Sequence, residues 1–253
     1  MFTCYFDASY DSPISITVVS GWVASSAAWE RFDADWRILL AQYDIPYFHM
    51  REFAHSVGPF AGWKGEEIKR ANFLRKAVDI IRACALHGFA CLVEQAPFDK
   101  INSQYCLSEW VGRPYALAGR DCVAHANIWL QKEKRELDVD YIFEAGDADA
   151  GELQRVMLKD MQAVPKFAPG KSTTAGLVGI TPLQAADFAA YELLKAHGIG
   201  DNLPLYKYRR SILELARIPA WWGSYTESDL KALCERVQIP ARVAAPAASA
   251  VRV

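Results

Sequence analysis

The segment 4–9, with the sequence CYFDAS, most constrains the fold of this chain, because it places a carboxylate in a strand-like apolar stretch close to the first residue. An early strand of an α/β domain usually lies in the middle of its sheet. An ionised side chain is costly there unless it is paired, hydrogen-bonded or bound to a cation. Asp7 is therefore either a functional group or a charge that the fold must neutralise. We predict that Asp7 is part of an acidic metal site.

The composition indicates a soluble globular protein and argues against two other classes. The 253 residues are 52% hydrophobic and 23% charged, which suits one large domain or two small ones with a sizeable core. A net charge of -2 supplies no overall positive field, so a nucleic-acid partner would need a local basic strip. Arg82 and His87 interrupt the longest apolar stretches, and we therefore expect no membrane span.

The cysteines and the first residues indicate a cellular compartment. The six cysteines contain no C-x-x-C pair, and several lie in apolar runs, so we expect reduced, structural thiols. No basic stretch followed by an apolar run and a small-residue cleavage site is visible at the start, so no signal peptide is predicted. We expect a cytoplasmic location.

Alternating strand and helix patterns predict an α/β fold. Residues 14–24 are rich in β-branched side chains and follow turn chemistry, which predicts an antiparallel hairpin with the first strand. Residues 45–53 are expected to be extended, and 175–180 is a possible short strand. Apolar periodicity predicts further helices at 26–43, 66–85, 115–133, 150–161 and 181–194, and further strands at 89–93 and 138–143.

We expect one principal domain over residues 1–200. Residues 201–239 are interpreted as a small C-terminal helical extension packed on it, with short helices near 211–216 and 226–237. Thr226 is the predicted cap of the second of these helices. The tail 240–253 has little apolar surface to bury, and we predict that it is disordered.

Two further acids occupy positions comparable to that of Asp7. Glu144 ends the strand at 138–143 and is followed by a turn and a helix. Because the carboxyl ends of parallel strands are where ligands collect in open α/β sheets, Asp7 and Glu144 are expected to face one crevice. Asp187 lies in the middle of the apolar stripe of a helix that Thr181 caps and Pro182 opens. We predict that the three acids converge.

Converging carboxylates require a cation. Two of them about 4 Å apart repel by roughly 4 kcal/mol at an effective dielectric constant near 20. Hard oxygen ligands without a Cys or His framework favour Mg²⁺ or Mn²⁺, and these ions are suited to phosphodiester chemistry. For each acid taken singly, a structural role is the alternative: a strand-end hydrogen-bond acceptor for Asp7, a solvated loop edge for Glu144 and a buried pair for Asp187.

Four motifs together resemble the bacterial domain-of-unknown-function family numbered 3800, over roughly residues 1–200. They are YFDAS at 5–9, FHM at 48–50, IFE at 142–144 and TPLQAADFAAYE at 181–192. The resemblance implies a ribonuclease H-like mixed sheet with antiparallel early strands and helices on both faces. It also implies a metal site formed by Asp7, Glu144 and Asp187. Ala8 stands where many members carry a second acid, and no glycine follows Ser9.

Several other side chains are candidates for the same chemistry. His49 is a candidate metal ligand or proton-transfer group, because imidazole titrates near neutral pH; a packed structural role is the alternative. Glu52 is expected at a solvated edge, and Asp147 is a candidate extension of the acidic site. The candidate substrate-binding cations are Lys166, Lys171, Lys207, Arg209 and Arg210.

The sequence thus favours a metal-dependent phosphodiester hydrolase, a nuclease that acts on RNA or DNA. Asp7, Glu144, Asp187 and His49 are its predicted catalytic residues. Two alternatives stay open: a non-catalytic binding or assembly module that retains the fold, and a small-molecule phosphohydrolase with the same acids.

Overall fold

The computed structural model describes residues 1–11, 15–133, 138–171, 179–197 and 209–242. Its strands are β1 (Phe2–Asp11), β2 (Ile16–Ser25), β3 (His87–Glu94), β4 (Val139–Glu144), β5 (Lys166–Ala168) and β6 (Ala220–Tyr225). They form one sheet in the order β5-β4-β1-β2-β3-β6. Strands β1, β2 and β3 pair antiparallel, whereas β4 is parallel to β1, β5 to β4 and β6 to β3. The predicted mixed sheet with antiparallel early strands is confirmed.

Helices occupy both faces of this sheet. They are α1 (Ser26–Gln42), α2 (Met50–His55), α3 (Glu67–Cys84), α4 (Gln95–Gln104), α5 (Leu107–Val111), α6 (Pro114–Lys132), α7 (Ala150–Met161), α8 (Thr181–His197), α9 (Arg210–Leu215) and α10 (Glu227–Arg236), with a 3-10 helix at Gly58–Trp63. None of the helices in the described part of the chain is long and apolar enough to cross a membrane.

The two faces of the sheet carry separate apolar cores. On one face, Phe6 and Phe143 lie in a buried cluster with side chains of α6, α7 and α10. On the other face, Trp22 belongs to a cluster formed mainly by α1, α3 and α8, to which the aromatic side chains around the 3-10 helix also belong. Since successive strand residues point to opposite faces, the alternation along β1 and β2 supplies both cores. Helix α8 therefore lies directly over β1 and β2, where it positions the site described below.

Helix caps follow the local sequence chemistry at the starts of α1 and α10. The hydroxyl of Ser25 accepts a hydrogen bond from Ala28 N at the start of α1. Thr226 and Asp229 form a reciprocal capping box at the start of α10. Thr181, also a predicted cap, is instead the first residue of α8 itself, and its hydroxyl donates to Asp33 Oδ1 at 2.7 Å. This bond ties α8 to α1.

The structure corrects two local predictions. The segment expected to be extended over 45–53 contains the start of helix α2, so that Glu52 lies on a helix. The C-terminal extension contains the predicted short helices, and it also contributes β6, whose residues pair with β3. The possible strand at 175–180 falls largely outside the described residues, as do Lys207 and the tail beyond 242.

Candidate acidic metal site

A cleft of about 750 Å³ lies between β1, the end of β4 and helix α8, and the three predicted acids line it. The pairing register explains why two of them meet. Phe6 of β1 is paired with Phe143 of β4, and their rings stack with centroids 5.0 Å apart in one core. Asp7 and Glu144 are the next residues on the two strands, so their side chains point to the opposite face, toward α8.

Asp187 reaches the cleft from the buried side of α8. Its side chain is only 9% exposed. The amide of Met50, at the start of α2, donates to Asp187 Oδ2 at 2.5 Å. Asp187 therefore joins α8 to α2. Its second oxygen, Oδ1, does not take part in this bond with the Met50 amide.

Glu144 is fixed by the loop that follows β5. The amide of Gly170 donates to Glu144 Oε1 at 2.9 Å. A Cβ atom at position 170 would collide with Glu144 Oε2, so any other residue there would require the carboxylate to shift. Asp7 accepts a hydrogen bond from the amide of Ala8 at 2.7 Å. Each of the three acids thus has one backbone donor.

These single donors do not compensate for burial. Burial and the nearby carboxylates of Asp187 and Glu144 raise the pKa of Asp7 well above its ordinary value. Burial raises the pKa of Asp187 to about 7, against the lowering effect of the Met50 amide. Burial also raises the pKa of Glu144. Burial thus disfavours the charged form of all three carboxyl groups, and a bound cation relieves this penalty.

His49 lies beside Asp187, with its Nε2 atom 3.7 Å from Asp187 Oδ1. Its Nδ1 atom is 3.2 Å from Glu52 Oε1. Burial and the nearby charge of Lys171 lower the pKa of His49, which keeps the imidazole neutral at pH 7. A neutral ring at this place has the protonation state that either metal binding or proton transfer requires.

Glu52, which the sequence placed at a solvated edge, connects three groups at the cleft. Its side chain is 22% exposed, and its Oε1 atom accepts from Lys171 Nζ at 3.1 Å. The hydroxyl of Tyr47 donates to Oε2 at 3.0 Å. Because Lys171 and Tyr47 stabilise the charged form, the pKa of Glu52 lies below its ordinary value despite partial burial. Glu52 is thus an ionised anchor for Lys171, and it lies near His49 Nδ1, which has no hydrogen-bond partner in the described part of the chain.

Gln184 is a supporting residue that sequence reasoning missed. It is 3% exposed on α8. Its Oε1 atom accepts from Trp36 Nε1 and from the amide of Phe48, both at 2.9 Å, and its Nε2 atom donates to the carbonyl of Gly170 at 2.7 Å. One side chain therefore holds α1, the segment that carries His49 and the loop that carries Glu144's amide donor. A glutamine on the apolar stripe of α8 was the available signal.

The structure places the predicted substrate-binding cations at different sites. Lys171 lines the cleft. Lys166 does not, and it forms an ion pair with Asp140 at 2.7 Å on the surface of the sheet. Arg209 is 3.2 Å from the buried carboxylate of Glu192 on α8, which gives it a structural partner. Arg210 is exposed at the first residue of α9 and is also absent from the cleft lining, and Lys207 lies outside the described residues.

A smaller cavity of about 190 Å³ adjoins the cleft on the other side of Asp7 and Glu144. Asp147 lines it, as the candidate extension of the acidic site. The hydroxyl of Tyr10 donates to Asp147 Oδ2, and the amide of Asp149 donates to its Oδ1 at 2.8 Å. Both oxygens of Asp147 therefore already have protein donors, so Asp147 closes a turn rather than presenting a free carboxylate.

The cleft contains side chains of the types that bind hard divalent cations, but those described do not converge on one ion position. Three carboxylates and a neutral imidazole are oxygen and nitrogen donors that Mg²⁺ or Mn²⁺ accepts. Within the described ranges, no group of three or more His, Cys, Asp and Glu side chains is already arranged around one ion position. The chain gives no significant match to a protein-family model, to a curated protein or to a solved structure.

Proposed function

We propose that this protein is a divalent-metal-dependent phosphodiester hydrolase that acts on RNA or DNA. One observation carries the proposal: acids from β1, β4 and α8 line a single cleft, and burial raises the pKa of all three. Such a site is electrostatically unfavourable without a cation and becomes favourable with one. Perturbed acids that share a cleft are also the usual signature of a functional site.

The order and direction of the strands also support the proposal. Three antiparallel strands followed by two parallel ones, in the order β3-β2-β1-β4-β5, agree with the ribonuclease H-like sheet that the resemblance implies. The acids lie on the first strand, at the end of a later strand and on a C-terminal helix, which are the places that the resemblance implies for metal ligands.

The residues would divide the work as follows. Asp7, Glu144 and Asp187 would hold Mg²⁺ or Mn²⁺, which supplies Lewis-acid polarisation of a phosphoryl oxygen when bound. His49, neutral at pH 7, would accept or return a proton at Nε2 on the cleft side. Glu52, whose Oε1 atom lies 3.2 Å from His49 Nδ1, would stabilise the imidazole when it is protonated, and it holds Lys171 at the cleft wall.

A non-catalytic binding module is the second candidate, and two observations favour it. The described side chains do not already form a ligand group around one ion position. Ala8 also occupies the position where the resembling family carries an acid. A module of this kind would keep the cleft and bind its partner without turnover.

Hydrolysis assays separate the two candidates. Labelled single-stranded RNA, single-stranded DNA and an RNA–DNA hybrid would be incubated with Mg²⁺, with Mn²⁺ and with a chelator. We expect metal-dependent cleavage of at least one substrate and its loss in Asp7→Asn. Asp140→Asn is the matched control, because Asp140 is a partly buried β4 acid that pairs with Lys166 outside the cleft. Identical rates for the wild type and Asp7→Asn would exclude the proposed site, and no cleavage by the wild type would favour the binding module.

A further inference from the structure

We infer that Arg51, together with His55, binds a phosphate of the substrate strand adjacent to the phosphate that is cleaved. The inference rests on the proposed function for the identity of its ligand. A site for a neighbouring phosphate restricts the expected substrates to polynucleotide strands, because a small phosphate ester has no second phosphate to bind.

Helix α2 presents both side chains to the same cleft. Arg51 and His55 are four residues apart, so they lie on one side of the helix. Both line the cleft that contains Asp7, Glu144 and Asp187. Both are exposed, so a ligand in the cleft reaches them without displacing packed side chains.

Among the residues that the structure describes, Arg51 differs from Lys171 and Lys195 because it has no acidic partner. Lys171 is held by Glu52 at 3.1 Å, and Lys195 is held by Asp11 at 3.2 Å. In the described portion of the structure, Arg51 makes no hydrogen bond and no ion pair. Its guanidinium is therefore available to bind an anion, and its planar fork matches the oxygens of a phosphate.

The position of Arg51 is tied to the acidic site through the backbone. Met50, the preceding residue, is fully buried, and its amide donates to Asp187 Oδ2. Phe53, two residues further on, is 1% exposed and anchors the opposite side of α2. The base of the Arg51 side chain is thus fixed relative to Asp187, and the exposed side chain lines the cleft. This arrangement positions one phosphate in relation to another.

The balance of charges in the cleft indicates why Arg51 would attract a phosphate. The lining contains four acids, Asp7, Asp11, Glu144 and Asp187, and three residues that are cationic at neutral pH, Arg51, Lys171 and Lys195. Two of the three cations are already neutralised by Glu52 and Asp11. Among the described cations of the lining, Arg51 is therefore the one whose charge is not balanced by a paired carboxylate, and it adds most to the attraction of a polyanion.

Fluorescence anisotropy tests the inference without turnover. A labelled single-stranded 12-mer would be titrated with the wild type, Arg51→Ala, Arg51→Lys and Arg236→Ala in chelator over a range of KCl concentrations. Arg236 is an exposed arginine at the end of α10, outside the cleft, and is the matched control. We expect Arg51→Ala to weaken binding about tenfold and to lower the salt slope by about 0.7. Arg51→Lys should keep most of the slope, and Arg236→Ala should match the wild type.

Two results would overturn the inference in this assay: equal affinities for Arg51→Ala and Arg236→Ala, or no measurable binding of the oligonucleotide by the wild type. A loss of binding in Arg51→Ala supports it even if the wild type cleaves nothing, and in that case only the proposed hydrolytic function fails.

Steady-state kinetics in the presence of the metal ion provide a second test of the role of Arg51. For a cleaving wild type, we expect Arg51→Ala to raise KM for the oligonucleotide about tenfold while leaving the hydrolysis of bis(p-nitrophenyl) phosphate unchanged. That small diester has no neighbouring phosphate for Arg51 to bind. Equal losses on both substrates would contradict the inference, because they would place the effect of Arg51 at the acidic site itself.

Discussion

Helices α6 and α8 cover opposite faces of the same sheet, yet they bury very different side chains. The buried residues of α6 are apolar from Pro114 to Leu130, apart from the phenol of Tyr115. Helix α8 is more extensively buried, and it carries Thr181, Gln184, Asp187 and Glu192 among its buried residues. Burying a polar group costs free energy unless the group finds a hydrogen-bonding or charged partner. Packing against the sheet therefore does not explain why α8 carries these polar residues.

The partners of these residues show what the difference means. Thr181 binds Asp33 of α1, Gln184 binds α1 and two loops, and Asp187 binds the amide of Met50. Helix α6 stabilises the fold through apolar contact, whereas α8 fixes the elements that form the cleft. The helix that carries the candidate ligand is also the helix that organises the groups around it.

The largest expected difference between the two helices concerns activity. Asp187→Asn should lower metal-dependent hydrolysis roughly a thousandfold, because it removes a charged ligand from the site. Leu130→Ala, a fully buried substitution on α6, should lower stability by about 3 kcal/mol and leave the rate per folded molecule unchanged. Steady-state rates at saturating Mn²⁺, normalised to the folded fraction, would measure both. A similar rate loss in the two variants would remove the functional distinction between the helices.

The next effect concerns the stability that the polar network of α8 confers. Gln184→Leu should destabilise the protein by about 3 kcal/mol, since it leaves three buried partners without their hydrogen bonds. Urea unfolding gives this free energy. Gln184→Glu is the informative companion, because it keeps the acceptor for Trp36 and Phe48 and loses the donor to Gly170. A change below about 0.5 kcal/mol in Gln184→Leu would show that the network does not stabilise the fold.

The pH dependence of stability provides a third test of α8. Because the pKa of Asp187 is raised from 3.8 to about 7 in the folded state, folding takes up a proton between these values. Stability from this group is therefore highest at low pH and decreases as the pH rises toward 7, by about 1.4 kcal/mol per pH unit. Between pH 5.5 and 8, the wild type should lose about 2 kcal/mol more than Asp187→Asn in metal-free buffer.

Urea unfolding at the two pH values, with and without Mn²⁺, measures this difference. Mn²⁺ should stabilise the wild type more at pH 8 than at pH 5.5, since the ion competes with the proton for the carboxylates. Parallel pH profiles for the wild type and Asp187→Asn would show that Asp187 is not a perturbed acid.

The smallest expected effect lies at the far end of α8. Arg209→Ala should destabilise the protein by about 1 kcal/mol, because it leaves the buried carboxylate of Glu192 without its ion pair, although water still reaches the partly exposed arginine side. Adding Glu192→Gln to this variant should recover most of the loss, and chemical denaturation would measure both. If the single and double variants are equally destabilised, the ion pair is not the cause.

Much of the fold was predictable from periodicity, because long elements repeat their burial pattern several times. Helices α1, α3, α6 and α7 and strands β3 and β4 lie within a few residues of their predicted bounds. Helix α2 has only six residues, too few for a periodic signal, and so Glu52 was placed at a solvated edge. Strand β6 was missed because its alternation of half-buried residues contains two adjacent tryptophans and a glycine, which obscure the pattern.

The acids of the site were predictable, and their surroundings were not. Asp187 stood out because a charge interrupts the apolar stripe of a strongly periodic helix. The partners of Gln184 lie 136 and 148 residues earlier in the chain, and a single sequence carries no signal for such distant contacts. In the same way, the tertiary structure decides that Glu52 and Asp11 pair with Lys171 and Lys195 and not with Arg51. The sequence carries no signal for this choice of partners.

Calorimetric titration with Mn²⁺ tests the central claim most directly. Wild-type protein, Asp187→Asn and Asp140→Asn would be titrated at pH 7.5, with unfolding measured in parallel to confirm that each is folded. The proposed site predicts saturable binding of one or two ions by the wild type and Asp140→Asn, and its loss in Asp187→Asn. Absence of binding to the wild type at millimolar Mn²⁺, or equal binding by all three proteins, would contradict it.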